Sequence, residues 1–149
     1  MNKNSTRLGP LETRFFSWAQ LRRIGKVRTG DLVRELGLTP IQEANLYQNM
    51  SKKGLLVKVM RGLYLVPKRI PTGGKWLPSP YQIVAALMEE VGAKYQVTGL
   101  AAFNNYGLDT QVPNEIAVYN TVLSGRKFIA GLSFNFIKVS EERLGGTEL

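Results

Sequence analysis

The most informative pattern of polar and apolar positions lies between residues 39 and 54. Thr39 followed by Pro40 is typical of a helix start, because threonine caps the first turn and proline suits the first helical position. Gly54 follows two lysines that suit the negative end of a helix dipole, so we expect the helix to end there. At 100° per residue, a polar arc of Gln42, Asn45, Asn49, Lys52 and Lys53 lies opposite an apolar side of Ala44, Leu46, Tyr47 and Met50.

The residues on either side of this helix predict a helix-turn-helix pair followed by a hairpin. A second, shorter helix is expected over 30–36, with Thr29 as its cap, and Gly37 in a left-handed bend joins it to the Thr39 helix. Residues 55–67 alternate as two strands around a tight turn at Arg61-Gly62. Three helices and a hairpin predict a winged helix-turn-helix.

The first helix begins at Pro10, and a turn is expected near Gly25. Basic residues crowd this turn, and such a cluster near a helix end commonly holds phosphates, although a merely solvated turn is the alternative. The cluster consists of Arg22, Arg23, Lys26 and Arg28.

The second half of the chain predicts a small α+β domain. Ser79-Pro80 opens a helix that runs through Val91, and a further helix is expected from Thr98 to Tyr106. Strands are expected over 115–122, with Ile116, Val118 and Asn120 on one face, and over 132–139, separated by a turn at 124–127. The fold class is therefore α+β: an N-terminal winged helix-turn-helix followed by two helices and a β-hairpin or small sheet. We place the domains at 1–67 and 80–149, with residues 68–79 as a basic linker.

Charge is distributed unevenly along the chain. The net charge is +9 over 149 residues, yet residues 1–80 carry +11 and residues 81–149 carry −2. The first half is therefore expected to bind a polyanion. The chain has no cysteine and no histidine, which excludes zinc fingers, disulfides, thiol nucleophiles and imidazole bases. We expect no metal or other cofactor.

Neither an enzyme nor a membrane protein is expected. The adjacent Glu89 and Glu90 diverge by about 100° on a helix and make no convincing acid–base pair. The first residues are polar and unlike a signal peptide, and no stretch approaches the length of a membrane span. We therefore expect a soluble, cytoplasmic protein.

Double-stranded DNA is the polyanion that the polar helix predicts. Asn and Gln amides can pair with adenine edges in a major groove, and Glu43 in the first turn can accept from a cytosine amino group. The alternative is a solvated helix face. The candidate DNA-binding residues are Arg22, Arg23, Lys26, Arg28, Thr39, Gln42, Asn45, Gln48, Asn49, Lys52, Lys53, Lys58 and Arg61.

Two stretches resemble a known family, the AbiEi-type antitoxins. Residues 53–67, KGLLVKVMRGLYLVP, resemble the wing of those proteins. Residues 98–103 (TGLAAF), 106–108 (YGL) and 110–116 (TQVPNEI) resemble the opening of their second domain. The resemblance spans most of residues 29–139. Family members continue well past this point, so it implies either a fragment or a short member.

The resemblance implies the antitoxin of a type IV toxin–antitoxin pair associated with abortive phage infection. The winged domain would bind repeats in its own operon's promoter and repress it. The second domain would neutralise a nucleotidyltransferase-like toxin, without stable binding between the two proteins.

A second class of function stays open, in which the winged helix anchors a module that binds a protein or small ligand and has no link to a toxin. Residues 104–106 (NNY) and the loop 109–114 are its candidate contacts, although a helix end and a turn explain both more simply.

Overall fold

The computed structural model describes residues 8–71, 73–98 and 115–147. In this part of the chain the fold is mixed α+β, with five helices and two small sheets. The chain forms two compact units, Met1–Pro78 and Ser79–Leu149. The residues predicted as a linker, 68–79, therefore fall almost entirely within the first unit.

The first unit contains three helices and a three-stranded antiparallel sheet. The helices are α1 (Pro10–Arg22), α2 (Asp31–Leu36) and α3 (Pro40–Lys52), and the strands are β1 (Lys26–Arg28), β2 (Val57–Met60) and β3 (Leu63–Leu65), in the sheet order β1-β3-β2. Met60 pairs with Leu63, so the predicted tight turn at Arg61-Gly62 is confirmed, with Gly62 at φ 80°.

One apolar core holds the helices and this sheet together. Burial of these side chains is the main favourable contribution to folding of the unit. The core consists of Phe15, Phe16, Ala19, Val27, Leu32, Leu36, Leu38, Leu46, Tyr47, Met50, Leu55, Leu56 and Val66.

The start of α2 differs from the prediction. Thr29 does not cap it; the N-cap residue is Gly30, in a left-handed conformation at φ 99°. The carboxylate of Glu43, from α3, accepts hydrogen bonds from the backbone nitrogens of Gly30 (2.8 and 2.9 Å) and Leu32 (2.8 Å). A helix start leaves backbone N–H groups without partners, and here a carboxylate from the next helix satisfies two of them. At the other end, Gly37 is left-handed at φ 71°, as predicted.

The chain after Pro67 returns to the end of α3. The Trp76 nitrogen donates to the Gly54 carbonyl at 2.9 Å. A Cβ on Gly54 would lie 2.7 Å from the Lys75 Cα, and Gly54 has φ 78°. Glycine is therefore required here twice, for the left-handed end of the helix and for the close approach of residue 75.

The second unit contains helices α4 (Pro80–Val91) and α5 (Glu141–Thr147) and a four-stranded sheet. Its strands are β4 (Tyr95–Thr98), β5 (Glu115–Asn120), β6 (Gly125–Ile129) and β7 (Leu132–Lys138), in the order β4-β5-β7-β6. Strands β5 and β7 are parallel neighbours, whereas the other two pairs are antiparallel. In β5 the alternation is as predicted, with Ile116, Val118 and Asn120 all buried.

Two predictions for this unit are wrong. Residues 125–127 belong to strand β6 and not to a turn; the turn lies at Ala130-Gly131, where both residues are left-handed. Thr98 ends strand β4 and does not start a helix. Helix α5 was not predicted. The rest of the predicted helix to Tyr106 and the candidate contacts at 104–106 and 109–114 lie outside the described residues.

None of the helices described here combines the length and the apolar character that crossing a membrane requires.

Candidate nucleic-acid interface

Helix α3 starts with a capping box. The Thr39 Oγ1 accepts from the Gln42 nitrogen at 3.1 Å, and the Thr39 nitrogen donates to Gln42 Oε1 at 2.9 Å, with Pro40 in the first helical position. Two backbone donors are satisfied reciprocally, so the first turn is fixed by local chemistry. The predicted N-cap is confirmed.

The two sides of α3 differ sharply in burial. Leu46, Tyr47 and Met50 are buried in the core, as predicted, and Glu43 is only 2% exposed. Ala44, assigned to the apolar side, is exposed. The exposed side also carries an isoleucine, and its members are Ile41, Gln42, Ala44, Asn45, Gln48, Asn49 and Lys52.

Two grooves border this exposed side. The larger, of about 600 Å³, lies between α3 and the sheet and is lined by Thr29, Pro40, Glu43, Ala44, Tyr47, Gln48, Ser51, Lys52, Lys58 and Tyr64. The smaller, of about 340 Å³, lies between α3 and the start of α1 and is lined by Gly9, Pro10, Leu11, Glu12, Gln42, Asn45, Leu46 and Asn49. The exposed side of α3 is thus a ridge with a groove on each flank.

A stacked pair of tyrosines lines the larger groove. The rings of Tyr47 and Tyr64 lie 4.5 Å apart at 30°, and the Tyr47 hydroxyl donates to the Arg28 carbonyl at 3.0 Å. Burial, followed by the negative charge of Glu43, raises the pKa of both phenols above the ordinary value. Both rings are therefore neutral at physiological pH, and the groove gains no negative charge from them.

All four acidic residues of the first unit have partners inside it. Glu43 accepts from the start of α2. Glu12 accepts from Lys53 Nζ at 2.8 Å and from the Gly9 nitrogen at 2.9 Å, while Asp31 and Glu35 contact the exposed Arg34. These four acids offset only part of the basic residues, and residues 1–80 keep a net charge of +11.

The ion pair with Glu12 changes the role predicted for Lys53. Glu12 is buried, and Lys53 Nζ contacts both of its carboxylate oxygens, at 2.8 and 3.0 Å. Because a buried carboxylate without a cation is costly, this lysine holds α1 against α3. We therefore remove Lys53 from the candidate DNA-binding residues; its neighbour Lys52 is exposed and lines the larger groove.

The basic cluster predicted near Gly25 does not line either groove. Lys26 and Arg28 lie in β1 opposite Leu65 and Leu63, whereas Val27 pairs with Tyr64. Since side chains alternate along a strand, Lys26 and Arg28 extend from the sheet face opposite to Tyr64. Arg22 ends α1, roughly 18 Å along the helix from the groove residue Pro10. Arg23 is the C-cap of α1. Arg22, Arg23, Lys26 and Arg28 therefore act on a ligand of the grooves only through their long-range charge.

The hairpin supplies the remaining predicted cations. Lys58 lies opposite Tyr64 in the sheet and lines the larger groove, facing α3. Arg61 is exposed at the β2–β3 turn. The structure thus brings Lys58 together with Gln48 and Lys52 around one groove, while Asn45, Asn49 and Gln42 line the other.

Two of the proposed base contacts need correction. Glu43 cannot reach a cytosine, because its carboxylate is buried at the start of α2. Gln42 has its side-chain carbonyl engaged by Thr39, so a bidentate contact with adenine, which needs both amide atoms, would break the cap. Within the described part of the chain, no capping contact of this kind restricts the amides of Asn45, Gln48 and Asn49.

Sequence reasoning overlooked the exposed Ile41, which is 72% exposed in the first turn of α3. On a helix, Ile41 lies 100° from Pro40, between Gln48 and Asn45. This position on the polar side of α3 could have been read from the sequence. No group of three or more Asp, Glu, His or Cys side chains in residues 8–71, 73–98 and 115–147 is placed to hold a metal ion.

Similarity to known proteins adds the family but not a function. No curated protein matches the sequence. One family model matches residues 39–144, from the cap of α3 to within α5. This match covers well over half of the chain, and the protein therefore belongs to DUF6088, a family of unknown function.

Proposed function

We propose that the first unit is a winged helix-turn-helix that binds double-stranded DNA, with α3 as its recognition helix and the β2–β3 hairpin as its wing. Helices α2 and α3 are the helix-turn-helix pair, and Gly37 provides the bend between them. The B-DNA major groove is about 12 Å wide and an α-helix is about 10–12 Å in diameter, so one helix fits.

The exposed ridge of α3 is the observation that carries this proposal. Asn45, Gln48 and Asn49 are exposed amides on one side of a helix whose other side is buried. Amides on a surface helix add little to its stability, but they match the donor and acceptor pattern of adenine. A groove follows each flank of the ridge, where the two phosphate backbones that border a major groove would pass.

Charge supports the same arrangement. Lys52 and Lys58 line the larger groove from opposite walls, and Arg61 lies at the tip of the hairpin. Because residues 1–80 carry a net charge of +11, phosphates approaching α3 meet a net positive field even after Glu12 and Glu43 offset part of it. Lysine and arginine contacts to phosphates position a protein on DNA and supply most of its non-specific affinity.

The resemblance to AbiEi-type antitoxins extends the proposal to a biological role. On this proposal the protein is a cytoplasmic repressor that binds repeats in the promoter of its own operon. Its second unit counteracts a nucleotidyltransferase-like toxin without forming a stable complex with it. The grounds for this role are residues 53–67 and 98–116, which carry the resemblance.

Titration of the full chain against DNA from upstream of its own gene tests the DNA-binding part. Phosphate contacts from Lys52, Lys58 and Arg61 predict a slope of log K against log salt of about −3 or steeper. The Lys58→Ala variant should bind operator and random DNA more weakly by a similar factor. A slope shallower than about −2, or no binding at all, would contradict the proposal.

Co-expression tests the antitoxin role. The chain, placed under an unrelated promoter, should restore growth of cells that express the nucleotidyltransferase-like toxin that this proposal assigns to its operon. The Asn45→Ala variant should restore growth equally well, because neutralisation is assigned to the second unit. Failure of the wild-type chain to restore growth would remove the antitoxin role and leave DNA binding standing.

A further inference from the structure

Ile41 is the least expected residue on the ridge of α3. Its side chain is 72% exposed, although burying an isoleucine stabilises a protein by about 1.5–3 kcal/mol. A single exposed apolar side chain needs no explanation by itself. This one lies at the centre of the exposed arc: helical angles measured from Pro40 are about 80° for Gln48, 100° for Ile41, 120° for Lys52 and 140° for Asn45.

The position of Ile41 along the helix is equally specific. It is the second residue of α3, immediately before Gln42 of the capping box, so its backbone is fixed by the cap. Asn45 follows one turn later, about 6 Å further along the axis. In helix-turn-helix proteins the first residues of the recognition helix contact the base edges.

The major groove offers one apolar group to such a side chain. Thymine carries a C5-methyl group there, and apolar side chains recognise it by contact. An asparagine amide pairs with the N6 and N7 atoms of adenine, the partner base of thymine. The combination of an exposed isoleucine with an exposed asparagine one turn away therefore matches A·T pairs at both positions.

We propose that Ile41 contacts the C5-methyl group of a thymine, one or two base pairs from the adenine that Asn45 pairs with. This inference rests on the proposed DNA binding and adds the chemical identity of the bases that α3 reads. The separation follows from the rise of about 6 Å between the two residues and about 3.4 Å between base pairs. Exposed Ala44, beside Ile41 on the ridge, leaves room for the methyl group on the side of the larger groove.

Replacing thymine by deoxyuridine tests this inference without knowledge of the operator. The upstream DNA is amplified once with dTTP and once with dUTP, so that the two fragments differ only by C5-methyl groups. The wild-type full chain should bind the deoxyuridine fragment about fourfold more weakly for each methyl group that it contacts. In the Ile41→Ala variant this ratio should fall toward one.

A matched control separates the contact from a change in DNA shape. Leu21→Ala removes an aliphatic side chain that is 83% exposed on α1, away from both grooves. Loss of the methyl groups changes DNA stiffness equally for all three proteins, so Leu21→Ala should keep the wild-type ratio. Melting curves should show all three proteins equally folded, because both replaced side chains are exposed.

The outcomes distinguish this inference from the function on which it rests. If Ile41→Ala keeps the same ratio as the wild type, Ile41 does not read thymine, whereas DNA binding by α3 still stands. If the wild type binds both fragments equally, the inference fails in the same way. If the wild type binds neither fragment, the proposed function itself fails, and the inference fails with it.

Discussion

Helices α3 and α4 start with the same local structure and present different surfaces. Residues 39–42 read Thr-Pro-Ile-Gln and residues 79–82 read Ser-Pro-Tyr-Gln, and both form a capping box with proline in the first position. The hydrogen bonds of the two capping boxes have similar lengths, 3.1 and 2.9 Å in α3 and 3.1 and 3.2 Å in α4. The cap thus determines where each helix begins, but it does not determine whether the helix surface faces the core or a partner.

The residues after the cap make the difference between the two helices. Helix α4 buries five apolar residues, Ile83, Val84, Ala86, Leu87 and Met88. Helix α3 buries Leu46, Tyr47 and Met50 together with a carboxylate, and its exposed side carries amides. Counted from the two caps, Glu43 corresponds to Ile83, and Asn45 corresponds to Ala85. Helix α4 is therefore a core helix, whereas the composition of α3 suits a partner outside the unit.

The largest expected effect concerns Glu43, which stands where α4 has an isoleucine. Glu43→Ala leaves two backbone N–H groups of α2 without an acceptor, and each loss costs about 1–3 kcal/mol. We expect a loss of about 3 kcal/mol in the free energy of unfolding, measured by urea denaturation. The exposed Gln48→Ala on the same helix should change it by less than about 0.5 kcal/mol. A loss below about 1 kcal/mol for Glu43→Ala would mean that α2 does not depend on this carboxylate.

The next largest effect concerns Asn45. The Asn45→Ala change gives α3 the residue that α4 has at the corresponding position, an alanine. One good bidentate contact discriminates between bases by about 1–3 kcal/mol, so operator affinity should fall by roughly one to two decades. Binding to random DNA should stay nearly constant, because no charge is lost. If a variant that still melts normally loses affinity equally for operator and random DNA, the amide side of α3 is only a solvated face.

Corresponding changes in the two caps give a direct comparison. A glutamate in place of the capping glutamine keeps the acceptor of the capping box. Gln42→Glu and Gln82→Glu should therefore leave the melting temperature nearly unchanged. Only Gln42→Glu adds a negative charge beside the proposed DNA path, and we expect it to weaken binding to any DNA by about tenfold. Similar effects of the two variants on DNA binding would contradict the assignment of α3.

Adjacent lysines at the end of α3 separate binding from stability. Lys52→Ala should weaken DNA binding several-fold without changing the melting temperature, because Lys52 is exposed in the larger groove. Lys53→Ala leaves Glu12 buried without its cation, so we expect a loss of about 1–2 kcal/mol in stability, whereas Lys52→Ala should cost none. The reverse pattern would restore Lys53 to the interface.

The smallest effect concerns Tyr47 and appears most clearly at alkaline pH. Burial raises the pKa of Tyr47, so the folded protein keeps a proton that the unfolded chain loses above about pH 10. The stabilisation of the folded protein that comes from this raised pKa is fully present below about pH 10 and is lost as the pH rises further. Tyr47→Phe should cost about 1 kcal/mol at pH 7, through the lost bond to the Arg28 carbonyl, and should lose stability less steeply above pH 10. Equal alkaline slopes would show that the phenol ionises without unfolding.

Local patterns predicted a large part of this fold. The caps at Thr39 and Ser79, the left-handed Gly37, the turn at Arg61-Gly62 and the alternation of Ile116, Val118 and Asn120 all agree with the structure. Each is signalled by a pattern among residues close in sequence, such as a side chain bonding to a backbone nitrogen three residues away or the alternation of a strand. Such signals are visible in the chain itself.

Pairing between distant strands could not be predicted in the same way. Strand β1 has three residues in a stretch that resembles a turn, and it exists because β3, nearly 40 residues later, supplies its partners. The parallel pairing of β5 with β7, and the place of β6 at the edge, depend on the whole sheet. Strand formation depends on the surrounding sheet more than helix formation depends on its neighbours.

The sequence by itself determined where α3 begins and ends, that its amides share one side, and that the first half of the chain is strongly basic. Only the tertiary structure decided which charged residues are available to a partner. Glu43 and Glu12 are both acids in the sequence, yet their roles in the structure differ. Glu43 is buried beside the backbone N–H groups at the start of α2 and caps that helix, whereas Glu12 is buried beside Lys53 and pairs with it. Burying a charge is costly unless it is paired, and the pairing partners lie 11 and 41 residues away in the sequence.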